Sequence, residues 1–324
     1  MSARLYSSAW RTPAFVALAL PGCSEWSFAD RNGVARDPLL VEERFVQAPL
    51  PKVDLLWVID DTSSMADEHD ALAGTMGAFA NTLAELGLAW QVGVVTTDLS
   101  GVDAGRLQGD PWILTPALDD PAEALVQASD VGVHGNPPEA GFGAAYLALT
   151  EPLRSGDNRS FRRSDAALHV IVLSDSDDDS ASVLGADPVG AFEEFLAEEA
   201  AITGMDARLS AVVGDVPSGC TWDGGTALPG AAYAEVALAT GGVVASVCEA
   251  DLSPVVEAIG EASASWPDTF TLQAVPVADS VRVSVDGARL DQGWTLDLTL
   301  PGIVFDEAPG ASAEIVVTYE VEDG

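Results

Sequence analysis

Residues 53–59, Val53-Asp54-Leu55-Leu56-Trp57-Val58-Ile59, form a nearly unbroken apolar run. A strand with one wet face alternates apolar and polar residues. A run without alternation needs cover on both faces, as in a parallel sheet between helices. The chain supplies that cover. Leu72, Met76, Phe79, Leu83 and Leu86 recur at spacings of three and four, which places them on one helical face, with Gly87 near its end. A second strand is predicted over 90–95, and Ile113 and Leu114 suit a short edge strand. Helices are predicted over 121–129, 140–149, 189–201, 231–239 and 252–262, and strands over 168–173, 209–213 and 243–247. Strands and helices thus alternate from 53 to 265. That order predicts an open, doubly wound, mostly parallel α/β sheet whose ligands bind beyond the carboxyl ends of its strands.

The pattern changes after Trp266. Val281, Val283 and Val285 alternate with polar residues, as do Trp294, Leu296 and Leu298, and Ile315, Val317, Tyr319 and Val321. Asp286-Gly287 is a hairpin-turn signal. A small antiparallel β domain is expected over 267–324. A strand within 41–52 could join it from before the α/β domain, which occupies 53–265.

Residues 1–22 read as an export signal. Arg4 and Arg11 precede an apolar run over 14–20 that is too short to span a bilayer. The sequence Leu20-Pro21-Gly22-Cys23 resembles the lipobox of bacterial lipoproteins, with Pro21 where a small residue is usual. That resemblance implies a lipid on Cys23 and an address at the outer membrane or cell surface, or on the periplasmic face. Residues 23–40 are polar and aperiodic at their start and suit a tether. Cys220 and Cys248 remain. In an exported protein they can pair, closing a loop for about 3–4 kcal/mol in the chain-entropy model, or stay as buried thiols.

The 324 residues carry 14 Lys+Arg against 51 Asp+Glu, a formal charge of -37. Phosphate contacts need clustered basic residues, so the charge rules out most nucleic-acid binding, and it disfavours docking on anionic lipid through basic residues. Lys52 is the single lysine, so a phosphate-cradling P-loop has no lysine to use. Acidity suits hard cations, which prefer oxygen ligands.

The first buried strand runs directly into Asp60-Asp61-Thr62-Ser63-Ser64-Met65. Residues 53–65 together resemble the first strand and metal loop of a von Willebrand factor A domain. That family's D-x-S-x-S motif begins a metal-ion-dependent adhesion site, and Asp60, Thr62 and Ser64 match it. The resemblance implies that the two hydroxyls contact Mg²⁺ or Ca²⁺ and that Asp60 holds it through hydrogen bonds or water. A structural alternative is that Asp60 or Ser64 caps the following helix. The family's later carboxylate matches Asp175, at the end of His169-Val170-Ile171-Val172-Leu173-Ser174-Asp175. Asp177, Asp178 and Asp179 follow in an acid-rich loop, with Asp179 expected to be solvated. An EF-hand reading of Asp175-Asp177-Asp179 fails, because Ser180 stands where Gly is needed and Ala186 where Glu is needed. The family also uses a Thr before its third helix. In Gly135-Asn136-Pro137-Pro138-Glu139-Ala140-Gly141, Pro138 falls at that position and has no hydroxyl, so Asn136 or water would have to replace it. Asp98, after the second strand, either approaches the metal or caps a turn.

The resemblance covers about 53–265 and is nearest to exported bacterial A-domain lipoproteins. It implies a non-enzymatic binding module whose incomplete metal shell is finished by an acidic group on a protein or cell-surface ligand. A structural lipoprotein with a degenerate metal site is the alternative, favoured by Pro138. A metal-dependent phosphatase of the haloacid dehalogenase type fits less well, because Thr62 stands where its second Asp is needed and Lys52 lies upstream. No G-x-S-x-G or H-E-x-x-H motif occurs. His169, in a predicted buried strand, is expected to be a core residue rather than a ligand.

Overall fold

The fold was analysed in a computed structural model, which describes residues 39–47, 51–222, 225–264, 267–298 and 301–321. The export signal, Cys23 and nearly all of the tether lie outside these residues. In chain order the elements are β1 (Leu39–Val46), β2 (Lys52–Ile59), α1 (Ala66–Glu85), β3 (Ala89–Thr96), α2 (Pro121–Ser129), α3 (Gly141–Leu149), β4 (Ala167–Leu173), α4 (Ala181–Leu184), α5 (Pro188–Thr203) and β5 (Ala207–Val213). Then follow β6 (Cys220–Trp222), β7 (Gly225–Ala227), α6 (Ala231–Ala239), β8 (Val244–Ser246), α7 (Ser253–Ala262), β9 (Thr269–Thr271), β10 (Arg282–Val285), β11 (Ala288–Leu290), β12 (Trp294–Asp297), β13 (Gly302–Phe305) and β14 (Glu314–Val321).

A five-stranded parallel sheet in the order β3-β2-β4-β5-β8 forms the centre. β2 lies in its middle, which is why its run lacks alternation. Leu55, Trp57 and Ile59 pack with Leu72, Met76, Phe79 and Leu83 of α1 and with Val256 and Ile259 of α7. Leu56 and Val58 face the other way, against Phe142 of α3, Phe192 and Leu196 of α5, and Tyr233 of α6. The mixed α/β sheet with helices on both faces is thus the expected architecture. Leu86 departs from expectation. It lies one residue past α1 and is 37% exposed, because the chain turns there through Gly87. Residues 113 and 114 contribute only an isolated bridge, Val92 to Leu114, rather than a strand.

Separate antiparallel sheets follow. One has the order β1-β14-β10-β11 and another β12-β13-β9. β1 pairs with β14 from Leu39↔Val321 to Val46↔Glu314, so chain from before the parallel sheet completes a sheet made after it. Phe270, Val283, Ile303, Phe305, Ile315, Val317 and Tyr319 fill the core between these sheets. The β10–β11 turn is Asp286-Gly287, both at positive φ, as a two-residue hairpin of this type requires. Cys220 and Cys248 form a disulfide that ties the β6–β7 hairpin to the turn after β8. No helix among the described residues is long and apolar enough to cross a membrane.

Candidate functional site

β2, β3 and β4 end side by side, with Ile59 in register with Thr96 and Leu173. The next residue in each strand therefore arrives at one rim. Asp60 is 0% exposed and its N–H donates to the Leu173 carbonyl (2.9 Å), which keeps it in the sheet. The chain then leaves in a tight turn. Asp60 Oδ1 accepts from the backbone N–H of Thr62 (3.0 Å) and from its hydroxyl (2.7 Å), while Oδ2 accepts from the Ser174 hydroxyl (2.6 Å). Thr62 Oγ1 lies 3.1 Å from Ser64 Oγ, and Ser64 draws the Asp175 carboxyl down against the burial that raises it. Asp60, Thr62, Ser64 and Asp175 are thus linked in one oxygen-lined group. His69, one turn into α1, donates from Nε2 to the Asp60 carbonyl (2.7 Å) and fixes the loop from behind.

The remaining candidates are placed around this group. Asp98 Oδ1 accepts from Ser100 N (2.6 Å), and its Oδ2 accepts from both the backbone and side-chain nitrogens of Asn136 (3.0 Å each). It therefore caps a turn and anchors the 135–141 loop. Burial works to raise the Asp98 carboxyl, but these hydrogen bonds outweigh it and hold it below the usual range. The Asn136 amide is engaged with Asp98 and, at 3.4 Å, with Ser100. Asp177 Oδ1 accepts from Asp178 N and from Ala232 N in the first turn of α6, where the helix N-terminus favours an anion.

Several residues gained no role from the sequence. Ser174 holds the second oxygen of Asp60. Asp178, expected only as part of an acidic loop, accepts from Phe142 N (3.0 Å) and from Ser180 N and Oγ. Tyr233 also bonds Asp178 and takes the Gly141 N–H (3.1 Å), so this carboxylate organises the start of α3. Gly135 donates to the Asp61 carbonyl (2.6 Å), and a Cβ there would sit 2.2 Å from Asp61 Oδ1. The S-D-x-D-D spacing of 174–178 was a visible signal for this cluster. The contacts of Gly135 and Tyr233, remote in sequence, had none.

The electrostatics are one-sided. Burial raises the carboxyls of Asp175, Asp178, Asp61 and Glu139, and neighbouring carboxylates push Asp175, Asp61 and Glu139 further in the same direction. None of the ion pairs among the described residues involves this rim. The opposite end of the sheet is built differently. Asp54, also 0% exposed, lies near the start of β2 and is held by Arg163 (2.7 Å) and Arg162 (3.2 Å). Two polar oxygens at the rim, Thr97 Oγ1 and Asp61 Oδ1, are buried without a hydrogen-bond partner. No group of three or more His, Cys, Asp or Glu side chains among the described residues is arranged to hold a metal by itself. The donor set is instead mixed, two carboxylates with two hydroxyls, and its all-oxygen chemistry fits a hard divalent cation. A groove of about 700 Å³ between β5, α6 and β8 shares no residue with this set. His169, 1% exposed, is hydrogen-bonded at both ring nitrogens within the core and is unavailable as a surface ligand.

No family model matches the sequence, and no curated protein is similar to it. Among solved structures, the chain is similar to proximal thread matrix protein 1 from the mussel byssus, at 16% identity and a TM-score of 0.43, covering 69% of this chain and 49% of that one. The same matrix protein with a zinc-occupied MIDAS motif gives 16% and 0.44, over 69% and 48%. A pilus adhesin, SpaC from Lactobacillus rhamnosus GG in an open conformation, gives 11% and 0.39, over 89% and 41%. The chain spans about half the length of the matrix protein and less of the adhesin.

Proposed function

We propose that the rim of the parallel sheet holds a divalent cation, Mg²⁺ or Ca²⁺, and that the protein is an envelope-tethered binding module of the von Willebrand factor A type. The observation that carries this reading is the contrast along β2. Asp54 and Asp60 are equally buried, yet Asp54 has two arginines while the Asp60 carboxylate pairs with no arginine or lysine among the described residues. An ionised carboxylate taken out of water without counter-charge costs several kcal/mol. With Asp175 beside it, the rim needs positive charge that none of the described residues supplies. Asp60, Thr62, Ser64 and Asp175 would hold that charge, with Asp98, Asn136 and Asp177 fixing the surrounding loops. When bound, the cation supplies an electrophilic point for an acidic group of a protein or cell-surface ligand. The chain's own work is positional: Ser174 and Thr62 aim the Asp60 carboxylate, and His69 holds its carbonyl.

The export signal at 1–22, lipid on Cys23 and the tether at 23–40 would display this site at the cell envelope. The unit at 53–265 would then be an insertion in a β module composed of 267–324 and the strand that precedes it. A second reading, a structural lipoprotein with a degenerate site, is favoured by Pro138. Calorimetric titration of the purified protein separates the two. Saturable heat with Mg²⁺ or Ca²⁺ is expected, with a melting temperature lowered by chelator, and Asp60→Ala and Asp175→Ala should each abolish binding. A wild-type protein with no heat and no chelator effect would retire the metal reading in favour of the second.

A further inference from the structure

β1 lies at the end of its sheet, and among the described residues it pairs only with β14. One bond fixes the direction of its backbone groups. Gln47 N donates to the Ala313 carbonyl (2.9 Å), continuing the ladder of Phe45↔Ile315, Glu43↔Val317 and Val41↔Tyr319. In an antiparallel ladder a residue turns its N–H and C=O to one side, and its neighbours turn theirs to the other. Odd-numbered residues of β1 therefore bond β14, and Leu40, Glu42, Arg44 and Val46 turn their backbone groups to the open edge. Their side chains also share the outer face. Leu40 and Val46 are 68% and 69% exposed, and Glu42 and Arg44 are about half exposed. Val41 and Phe45 pack on the core from the other face, where Glu43 is buried. Edge strands are usually kept short, bulged or broken by proline, because an open ladder is a template for another strand. The opposite edge, β11, has three residues. β1 has eight, and pairs with β14 without a bulge.

We propose that the occupant of this edge is β1 of a second copy, antiparallel about a twofold axis at Glu43. The order of residues selects this register. Open-edge residues must meet open-edge residues, so the axis passes through a residue and not between two. Centred on Glu43, Leu40 meets Val46 and Glu42 meets Arg44, in both directions. Every N–H and C=O that β1 turns outward then gains a partner. On the outer face apolar meets apolar and acid meets base, and on the packed face Val41 meets Phe45. All of these are favourable cross-strand combinations. Centring on Glu42 or Arg44 instead sets like charges opposite each other and leaves Val46 or Leu40 beyond the end of the other strand. Glu43 meets its own counterpart, but its carboxylate is held by its own chain, accepting from the Tyr319 hydroxyl and from Gln273 N (2.9 Å). The formal charge of -37 on each copy opposes association at long range, but edge contacts are shorter than the screening length of about 8 Å at physiological salt. This dimer does not depend on the cation reading.

The test is sedimentation equilibrium of the full-length protein at about 0.15 M NaCl and up to about 1 mM protein, the effective concentration of tethered partners. Cys23→Ser is carried throughout, so that neither a lipid nor that thiol joins copies. A monomer–dimer equilibrium is expected. Arg44→Glu sets carboxylates opposite each other in both ion pairs and should weaken the dimer at least about tenfold. Adding Glu42→Arg restores opposite charges in the same register and should bring the affinity back to within about threefold of the parent. Val46→Pro removes an outward N–H and no bond to β14, a place where an edge strand tolerates proline. It should weaken the dimer at least about tenfold and leave the melting temperature of the monomer nearly unchanged. Leu40→Cys with Val46→Cys should oxidise to a covalent dimer, because the two positions are about 20 Å apart within one strand but opposite each other across the interface. Leu40→Cys alone should not. A protein that stays monomeric at the highest concentration would overturn the proposal and leave the edge to a strand of another protein. Association that ignores both Arg44→Glu and Val46→Pro would overturn it as well, since it would run through a different surface.

Discussion

Asp60 shows how little of a site is visible in one residue. Its neighbours Thr62 and Ser64 are close in sequence, so their alternate spacing alone brings their oxygens to one point. Ser174 and Asp175 arrive from more than a hundred residues away, because β2 and β4 are in register to their last residues. Gly135 is the residue-scale constraint that nothing nearby announces. A methyl group there would meet the Asp61 carboxylate at 2.2 Å and its carbonyl oxygen at 2.9 Å. Either the loop or the turn after Asp60 would have to move. Gly135→Ala is expected to cost about 1–3 kcal/mol, the usual range for overpacking, and to weaken cation binding. Chemical denaturation of the apo protein measures the first effect. A variant as stable as wild type would show that the loop relaxes freely.

At the scale of elements, β4, β5 and α7 share a polar clamp inside an apolar core. Ser263 donates to the Ile259 carbonyl (2.7 Å), so it accepts from His169 Nδ1–H, and Ser210 donates to His169 Nε2. The imidazole is therefore neutral and holds both serines. Burial, with a smaller contribution from Arg208, lowers its pKa from 6.5 to about 3. The sign follows from linkage. Below the unfolded value of about 6.5 the unfolded chain takes up a proton that the folded protein refuses, so stability falls as pH drops from about 6.5 towards 3. His169→Gln, which keeps two hydrogen-bonding atoms and does not titrate, should lose this part of the slope. Melting curves of both proteins between about pH 7 and pH 4 test it. Parallel curves would show that His169 contributes nothing to acid sensitivity. The expectation of a buried core histidine came from its strand of few polar residues. The two serines that satisfy it belong to different elements and could not be chosen from the sequence.

At the scale of the whole molecule, the charge of -37 has two parts. At the amino end of the parallel sheet, arginines neutralise acids: Arg162 pairs Asp54 and Glu199, and Arg154 pairs Glu199. Among the described residues the carboxyl end has no such pairs. The remaining excess repels itself across the surface. Salt should therefore stabilise the fold. Raising NaCl from about 10 mM to about 0.2 M shortens the screening length from about 30 Å to below 10 Å. The melting temperature of the apo protein should rise by a few degrees. Scanning calorimetry in chelator checks this, and no rise would mean that the acids are already balanced locally.

The sequence alone determined what depends on local order. The unbroken apolar run required a two-sided sheet, helical spacing placed α1 and α5, and Asp286-Gly287 set a hairpin. The Asp60-Thr62-Ser64 loop was legible for the same reason, since three oxygens two residues apart need only a turn to meet. Tertiary structure decided everything that depends on register between distant strands. It brought Ser174 and Asp175 to Asp60, gave Asp98 and Asn136 to each other, and placed β1 against β14. The physical reason is that hydrogen-bond register and close packing are fixed jointly by many residues. No local spacing records which distant side chain will face a given carboxylate.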